Sequence, residues 1–288
     1  MRTRPDRCPG VLRPWPADDG LLVRIRLVAG RLTTDQLRQL SRASQDFGDG
    51  IVRSTNRANL QLRAFGDDGT GHLRPEALAA ITATGLLPSP RHDLVRNIMA
   101  SPLTGIAGGR ADLRGLVDEL DRLLLAYDSL TGLPGKFLFV LDDGRGDVLA
   151  HPCDLGIVAL DERIGQLRIG SGWGDVVELD RAPGILVELA AAFVAKRGEQ
   201  PTAPWHVAEM ETGFRPPQSP EPGLPPVLGS LPFGPVEQAP GWRHEPFGEA
   251  GLDAAQVERI TTGVDQLLVT PWHGVLVPPP VVEREAVA

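Results

Sequence analysis

The chain has 288 residues, enough for roughly two or three compact units, and its 42% hydrophobic and 23% charged content is that of an ordinary soluble protein. Its net charge of −8 argues against a nucleic-acid partner, because binding to phosphates requires a basic surface. No apolar run approaches the roughly 20 residues that span a bilayer, and residues 1–10 lack the apolar core of a signal peptide, so we expect a cytoplasmic protein without membrane contact.

The N-terminal part predicts a strand, a helix and a second strand in succession. Residues 21–28 alternate apolar and basic side chains, which indicates a strand with one buried face and with Arg24 and Arg26 on the solvated face. A helix with a capping-box pattern at residues 33–36 follows. The segment 53–63, RSTNRANLQLR, then crowds polar side chains at the end of a strand, which predicts either a polar loop or an anion-binding edge.

The middle of the chain predicts an α+β unit. Apolar stripes at helical spacing predict three helices, at residues 75–84, 112–127 and 184–197. Shorter apolar runs predict strands at residues 137–142, 155–160 and 166–170. Residues 95–109 are rich in glycine, proline and small side chains and predict a loop, whereas the proline-rich residues 201–226 predict an extended linker.

The C-terminal segment repeats the pattern of the N-terminal one. Residues 253–256 stand where 33–36 stand in the first copy, and a strand then leads into TPWHG at 270–274. The alignment puts His273 opposite Arg57. The repeat predicts two small αβ half-domains paired about a pseudo-twofold axis, with another unit between them, and loops that meet at such an axis suit a large, roughly symmetric ligand.

Three short stretches place one cation between a loop and a regular element. They are TNRANLQ at 55–61, RNIMASPLTG at 96–105 and LPGKF at 133–137. An arginine in such a place offers a planar fork that matches a carboxylate. Each cation taken singly is more often a surface residue than a ligand contact. Three of them in loops, together with the repeat, favour an anion-binding site.

The cysteine content limits the metal chemistry of the chain. Cys8 and Cys153 are its two cysteines, and no CxxC spacing is present. Two thiols cannot ligate a four-iron cluster or complete an all-cysteine zinc site. The six histidines include no pair at ligand spacing on a helix. The sequence therefore predicts no metal bound by this chain unaided.

Five motifs carry a family resemblance. RCPGVLRPWPADDGLLVRIRL, TNRANLQLR, RNIMASPLTG, LPGKFLFVLDDG and TPWHG, in this order, resemble the nitrite/sulfite reductase superfamily, and most of all its cobalamin-pathway branch, the precorrin-3B synthases. The resemblance implies an α+β fold in which two ferredoxin-like half-domains, related by pseudo-twofold symmetry, flank a central nitrite/sulfite-reductase-type α/β domain. The expected parts are the half-domains 1–66 and 227–288, the central domain 67–200 and the linker 201–226.

The resemblance also implies a set of substrate-binding residues. By motif they are Arg57, Arg96, Lys136, Asn56, Asn59, Asn97 and His273. His273 stands where relatives have an arginine. The reductases carry a further lysine where this chain has Leu138, which argues against nitrite or sulfite as substrate and suits the apolar edge of a macrocycle. The resemblance assigns no catalytic residue.

The activity that this resemblance implies is the oxygen-dependent hydroxylation of precorrin-3A, a carboxylated tetrapyrrole, with formation of a lactone. The alternatives are a clusterless, non-catalytic tetrapyrrole-binding protein, one half of a split enzyme and, less favoured, a siroheme nitrite or sulfite reductase. Relatives use a 4Fe-4S cluster whose cysteine ligands this chain lacks, so no cofactor is assigned, and a single iron at His273 is a disfavoured alternative. Besides the tetrapyrrole, we expect a cluster-domain polypeptide or a second copy of the chain as partner.

Overall fold

A computed structural model of the chain describes residues 6–200, 202–210, 214 and 216–280. In these residues five α-helices and three β-sheets form an α+β fold, as predicted. The helices are α1 (Thr34–Phe47), α2 (Pro75–Ala83), α3 (Arg114–Ala126), α4 (Ala182–Arg197) and α5 (Ala254–Thr261). None of these helices is both long and apolar enough to cross a membrane.

The first sheet is antiparallel and lies at the N-terminal end of the chain. Its strand order is β1-β2-β5-β4, with β1 (Trp15–Ala17), β2 (Gly20–Ile25), β4 (Arg53–Ser54) and β5 (Leu60–Phe65). Val23 lies opposite Leu62, and both are fully buried. The predicted alternation therefore puts one face of β2 into a core that α1 covers.

The central sheet holds five strands in the order β10-β9-β8-β7-β6. They are β6 (Ile98–Ala100), β7 (Phe139–Asp142), β8 (Leu155–Ala159), β9 (Ile164–Ile169) and β10 (Gly172–Glu178). β6, β7 and β8 run parallel, and β9 and β10 are antiparallel additions. Helices α3 and α4 pack on this sheet around the largest apolar core. The prediction of a loop throughout 95–109 was wrong for residues 98–100, because three residues between glycine- and proline-rich neighbours are too few to show a strand period.

The third sheet joins the two ends of the chain. Its order is β11-β12-β14-β13-β3, with β3 (Arg31–Thr33), β11 (Gly234–Pro235), β12 (Arg243–Pro246), β13 (Gln266–Thr270) and β14 (Gly274–Val277). The N-terminal β3 thus pairs with the C-terminal β13. The capping boxes predicted at residues 33–36 and 253–256 are both present, at the starts of α1 and α5.

The two repeats pack against one another. Arg38 on α1 pairs with Glu258 on α5, with 3.2 Å between Nε and Oε2, and both repeats contribute to one apolar core. Residues of the proline-rich segment 201–226 also contact the central sheet, since Gln166 Nε2 donates to the carbonyl oxygen of Ser219 over 2.8 Å. The bounds of the four predicted parts remain a prediction, and β3 belongs by its hydrogen bonds to the sheet of the second copy.

Candidate functional site

Arg57 and Lys136 meet where the first repeat contacts the central sheet. Arg57 lies in the loop between β4 and β5, and its Nη1 donates a hydrogen bond to the carbonyl oxygen of Lys136 over 2.8 Å. No other hydrogen bond of this guanidinium is found within the described residues. Burial lowers the pKa of Arg57, yet a guanidinium stays charged at neutral pH. One edge of its fork is therefore available to an anion.

Lys136 precedes β7 and rests on an aromatic ring. Its Nζ lies 4.6 Å from the centroid of the Trp205 ring, a distance at which a cation is attracted to the π face. Lys136 itself is half-buried, and Trp205 is largely buried. The contact fixes the ammonium group beside the Arg57 loop.

Two buried amides tie the cationic loops to the protein. Asn97 Oδ1 accepts hydrogen bonds from Arg26 Nε over 3.1 Å and from Asn59 Nδ2 over 3.3 Å, and Asn97 Nδ2 donates to the carbonyl oxygen of Gly135 over 2.9 Å. Asn59 Oδ1 accepts from the backbone N–H of Leu27 over 2.9 Å. The structure thus places the predicted residues Asn59 and Asn97 inside the protein, where they position the loops of Arg57 and Lys136. A direct contact of either with a ligand stays a prediction.

The prediction that Arg26 lies on a solvated strand face was wrong, because Arg26 is buried. Arg26, the residue after β2, is only 4% exposed, because its guanidinium donates to the backbone of residues 9 and 93. Arg26 Nη1 donates to the carbonyl oxygen of Asp93 over 2.8 Å, and burial lowers the pKa of Arg26 to about 10. Arg24 is half-buried, with Nη1 3.8 Å from Cys8 Sγ. These contacts come from distant parts of the chain, which strand periodicity does not reveal.

Arg96 is buried and forms an ion pair within the protein. Its Nε and Nη2 lie 2.6 and 2.9 Å from the two carboxylate oxygens of Asp121 on α3. The Nε–Nη2 edge of its guanidinium is thus occupied by the protein. An external carboxylate would have to displace Asp121 before it could take this bidentate contact.

Asn56 and His273 are both exposed and belong to the two equivalent turns of the repeat. His273 Nδ1 lies 3.2 Å from Ser54 Oγ, so the turns of the two copies touch, as the predicted pseudo-twofold arrangement requires. The residue with left-handed backbone is Ala58 in the first turn (φ 54°) and His273 in the second (φ 55°). His273 therefore corresponds to Ala58 by backbone conformation. The sequence alignment instead pairs His273 with Arg57, one residue earlier.

Sequence reasoning missed four residues that border this site. Asp6 Oδ2 accepts a hydrogen bond from the backbone N–H of Gly135 over 2.6 Å, which brings a carboxylate close to the cationic loops. Trp205 and His206 come from the segment predicted as a linker. Asp154, at the start of β8, contacts His206. No periodicity marks any of them, since each is brought to the site by the tertiary fold.

An acidic turn begins at Asp142, the last residue of β7. The carboxylates of Asp142, Asp143 and Asp147 lie within 4.8 Å of one another and are buried. Arg145 donates to Asp143 from Nε over 3.0 Å and from Nη2 over 2.9 Å, while Ser101 Oγ donates to Asp147 Oδ1 over 2.7 Å. Because donor groups of the protein already hydrogen-bond to these carboxylates, we do not assign a metal site to this turn.

The cysteines do not fit a cysteine-ligated cluster. Cys8 and Cys153 are both free thiols, and burial raises the pKa of Cys153 to about 12, which disfavours the thiolate that metals bind. Among the described residues, the acidic turn is the one group of three or more histidine, cysteine or acidic ligand atoms, and it includes neither cysteine nor His273. We therefore propose no chemical step that uses such a cluster.

Comparison with known proteins identifies the class of fold. Residues 16–68, which contain β2, α1, β5 and the Arg57 loop, match the family described as the nitrite/sulfite reductase ferredoxin-like half domain. A solved structure of the Mycobacterium tuberculosis NirA protein superposes with a TM-score of 0.66 over 95% of this chain and 59% of that one. At 17% sequence identity this likeness shows the fold alone.

Two relatives share more of the sequence. A precorrin-3B synthase from Sinorhizobium sp is 32% identical over 176 residues, which cover 60% of this chain and 35% of that protein. A ferredoxin–nitrite reductase from Synechococcus elongatus is 35% identical over 131 residues, or 43% of this chain and 25% of that protein. The predicted resemblance is confirmed: the chain is similar to a precorrin-3B synthase, and its residues 16–68 match the nitrite/sulfite reductase ferredoxin-like half domain.

Proposed function

We propose that this chain binds a carboxylated tetrapyrrole of the precorrin type and has a precorrin-3B synthase-like role in cobalamin biosynthesis. The observation that carries the proposal is the pairing of Arg57 and Lys136, two cations on touching loops. The similarity to a precorrin-3B synthase over 176 residues supports the choice of ligand.

The chemistry of the two cations suits such a ligand. The free edge of the Arg57 fork can take a carboxylate through two parallel hydrogen bonds. The Lys136 ammonium is a point charge with rotatable donors, and it can take a second carboxylate at another angle. Two cations of different geometry on adjoining loops match a ligand that carries several carboxylates around its edge.

The finer proposal is that the bound ligand is precorrin-3A and that it is hydroxylated with molecular oxygen. The rival is a protein that binds the tetrapyrrole without oxidising it, alone or as one part of a split enzyme. The two cysteines, which do not fit a cluster, favour the rival. The sequence similarity to a precorrin-3B synthase favours the oxidation.

Reduction of nitrite or sulfite is the less favoured candidate, although one relative is named a nitrite reductase. Leu138, which stands where the reductase pattern places a further lysine, is 2% exposed. It packs in an apolar cluster with Met99, Val140 and Val148. A lysine in this cluster would bury an unpaired charge, so the arrangement here is made for an apolar residue.

An anaerobic titration with precorrin-3A, followed by admission of oxygen, tests the proposal. We expect saturable binding by the wild type, at least about tenfold weaker binding by Arg57→Met and unchanged binding by Arg122→Met. Arg122 is an exposed arginine whose partner, Glu119, lies on the same helix, which makes it a matched control. Iron and sulfide are assayed in the same samples.

The outcomes separate the candidates. Binding followed by a hydroxylated product supports the oxidoreductase, and binding without product supports the binding protein. Absence of binding by correctly folded wild-type protein would contradict the site built on Arg57 and Lys136.

A further inference from the structure

A buried carboxylate fixes a histidine beside the cationic loops. Asp154 is 2% exposed and accepts hydrogen bonds from the backbone N–H groups of Leu138 and Val207, each over 2.9 Å. Its Oδ2 also lies 3.1 Å from Nδ1 of His206. A carboxylate only accepts hydrogen bonds, so the Nδ1 atom of His206 carries the proton. The orientation of the ring is thereby fixed.

The other ring nitrogen of His206 is left for a different partner. Nε2 makes no hydrogen bond within the described part of the chain, and the side chain is 31% exposed. A histidine with one nitrogen held by a buried carboxylate and the other open to solvent is a common arrangement for binding or proton transfer. A purely structural histidine would be expected to use or bury both nitrogens.

Two contacts connect this histidine to the cationic loops. Leu138, whose N–H donates to Asp154, follows Lys136 by two residues in the chain. Trp205, which supports the Lys136 ammonium, directly precedes His206. The segments around Lys136 and His206 are therefore bound to each other on both sides of the Asp154 carboxylate.

We propose that His206 is a ligand-contacting residue of this site, which donates from Nε2 to a carboxylate of the bound tetrapyrrole. In its imidazolium form it adds a third positive charge to those of Arg57 and Lys136. This inference rests on the proposed function, since it takes the Arg57–Lys136 pair as the place where the ligand binds.

The charges near His206 favour an anionic ligand. Asp154, directly before β8, contacts Nδ1, and the ammonium group of Lys136 lies on the ring of Trp205, the residue before His206. Arg57 interacts electrostatically with the same Asp154 carboxylate. A donor at Nε2 would therefore add to the two cations that the ligand meets.

Two substitutions distinguish ligand contact from a structural role. His206→Asn keeps a donor close to the position of Nδ1, so the bond to Asp154 can persist while the Nε2 group is lost. His206→Gln keeps an N–H close to the position of Nε2 but cannot take up a proton. A comparison of the midpoints of urea denaturation shows whether either variant remains as stable as the wild type.

The test is equilibrium binding of uroporphyrin, a porphyrin with carboxylates on all its side chains, by the wild type and the two variants. We expect His206→Asn to bind about tenfold more weakly than the wild type, because the Nε2 group is lost. His206→Gln, which keeps an N–H close to the position of Nε2, should bind more tightly than His206→Asn.

The results that overturn the inference differ from those that overturn the proposed function. If the wild type and both variants bind uroporphyrin with the same affinity, His206 has no role and the Arg57–Lys136 site stands. If the folded wild type fails to bind uroporphyrin, the site itself is contradicted and the inference falls with it.

Discussion

Strand β7 has two cations near its start and a cluster of carboxylates at its end, and the hydrogen bonds of the two groups differ. Near the start, Lys136 lies on an aromatic ring, and Arg57 from the β4–β5 loop donates one N–H to a backbone carbonyl. At the end, Asp142 accepts hydrogen bonds from the backbone N–H groups of Gly144 and Gly146, each over 2.9 Å. The cationic end keeps unused donors, whereas protein groups surround the carboxylates of the acidic end.

This difference separates a binding role from a structural one. A buried charged group that lacks a partner costs several kcal/mol, and the acidic turn avoids that cost with Arg145, Ser101 and backbone donors. Arg57 and Lys136 are half-buried, so part of each side chain is open to solvent, where an anion can bind. Clustered charge alone therefore does not mark a ligand site. A ligand site is marked by charged groups whose hydrogen-bonding capacity the protein leaves unused.

The largest expected effect follows from breaking the acidic end. Arg145→Met would leave the buried carboxylate of Asp143 without its cation, so we expect a loss of about 3 to 5 kcal/mol in the free energy of unfolding. Urea denaturation measures it. The control is Arg122→Met, whose exposed pair with Glu119 should contribute less than about 1 kcal/mol. Equal losses in the two variants would show that the acidic turn does not depend on its arginine.

The pH dependence of stability sharpens the same contrast. Burial raises the pKa of Asp147 to about 7. In the unfolded chain the pKa of an aspartate is about 4, so the folded state binds more protons between these values, and its stability falls as pH rises through this window. The free energy of unfolding should fall by at most about 4 kcal/mol across this window. This pH-dependent decrease should be absent in Asp147→Asn.

Urea denaturation at about pH 5 and about pH 8 measures this difference. All other ionisable groups are common to both proteins, so the difference between wild type and variant isolates Asp147. A variant whose stability changes with pH as much as that of the wild type would contradict the assignment.

The smallest effect is expected at the exposed turns of the two repeats. Asn56→Ala and His273→Asn should each weaken uroporphyrin binding by less than about fivefold, because exposed polar contacts compete with water. Both should change the free energy of unfolding by less than about 0.5 kcal/mol. Asparagine is chosen at position 273 because it tolerates the left-handed backbone there. A loss of uroporphyrin affinity of tenfold or more at either position would show that the ligand binds mainly at the turns.

The sequence predicts those features that depend on local pattern. The apolar stripes and capping boxes of α1 and α5 are confirmed, and so are the helices α3 and α4 to within two residues at each end. Alternation in β2 correctly predicts which residues enter the core. It does not predict that Arg26 is buried too, because the cover over that face comes from remote segments.

The candidate site is predicted only in part for the same reason. The motif resemblance finds Arg57 and Lys136, which the structure brings together. It does not reveal that Asp121 already occupies the fork of Arg96, since that partner lies on a helix chosen by tertiary packing. His206 and Trp205 lie among prolines, without any period that would connect them to Lys136.

The most direct test of the central claim is the affinity of three proteins for uroporphyrin: the wild type, Arg57→Met/Lys136→Met and the control Arg122→Met/Lys196→Met. Both variants remove one arginine and one lysine, so they lose the same total charge. We predict that the first variant binds at least about a hundredfold more weakly with little change in stability, and that the control binds like the wild type. Equal affinity of all three proteins would contradict the claim that the cations beside β7 form a binding site for a carboxylated tetrapyrrole.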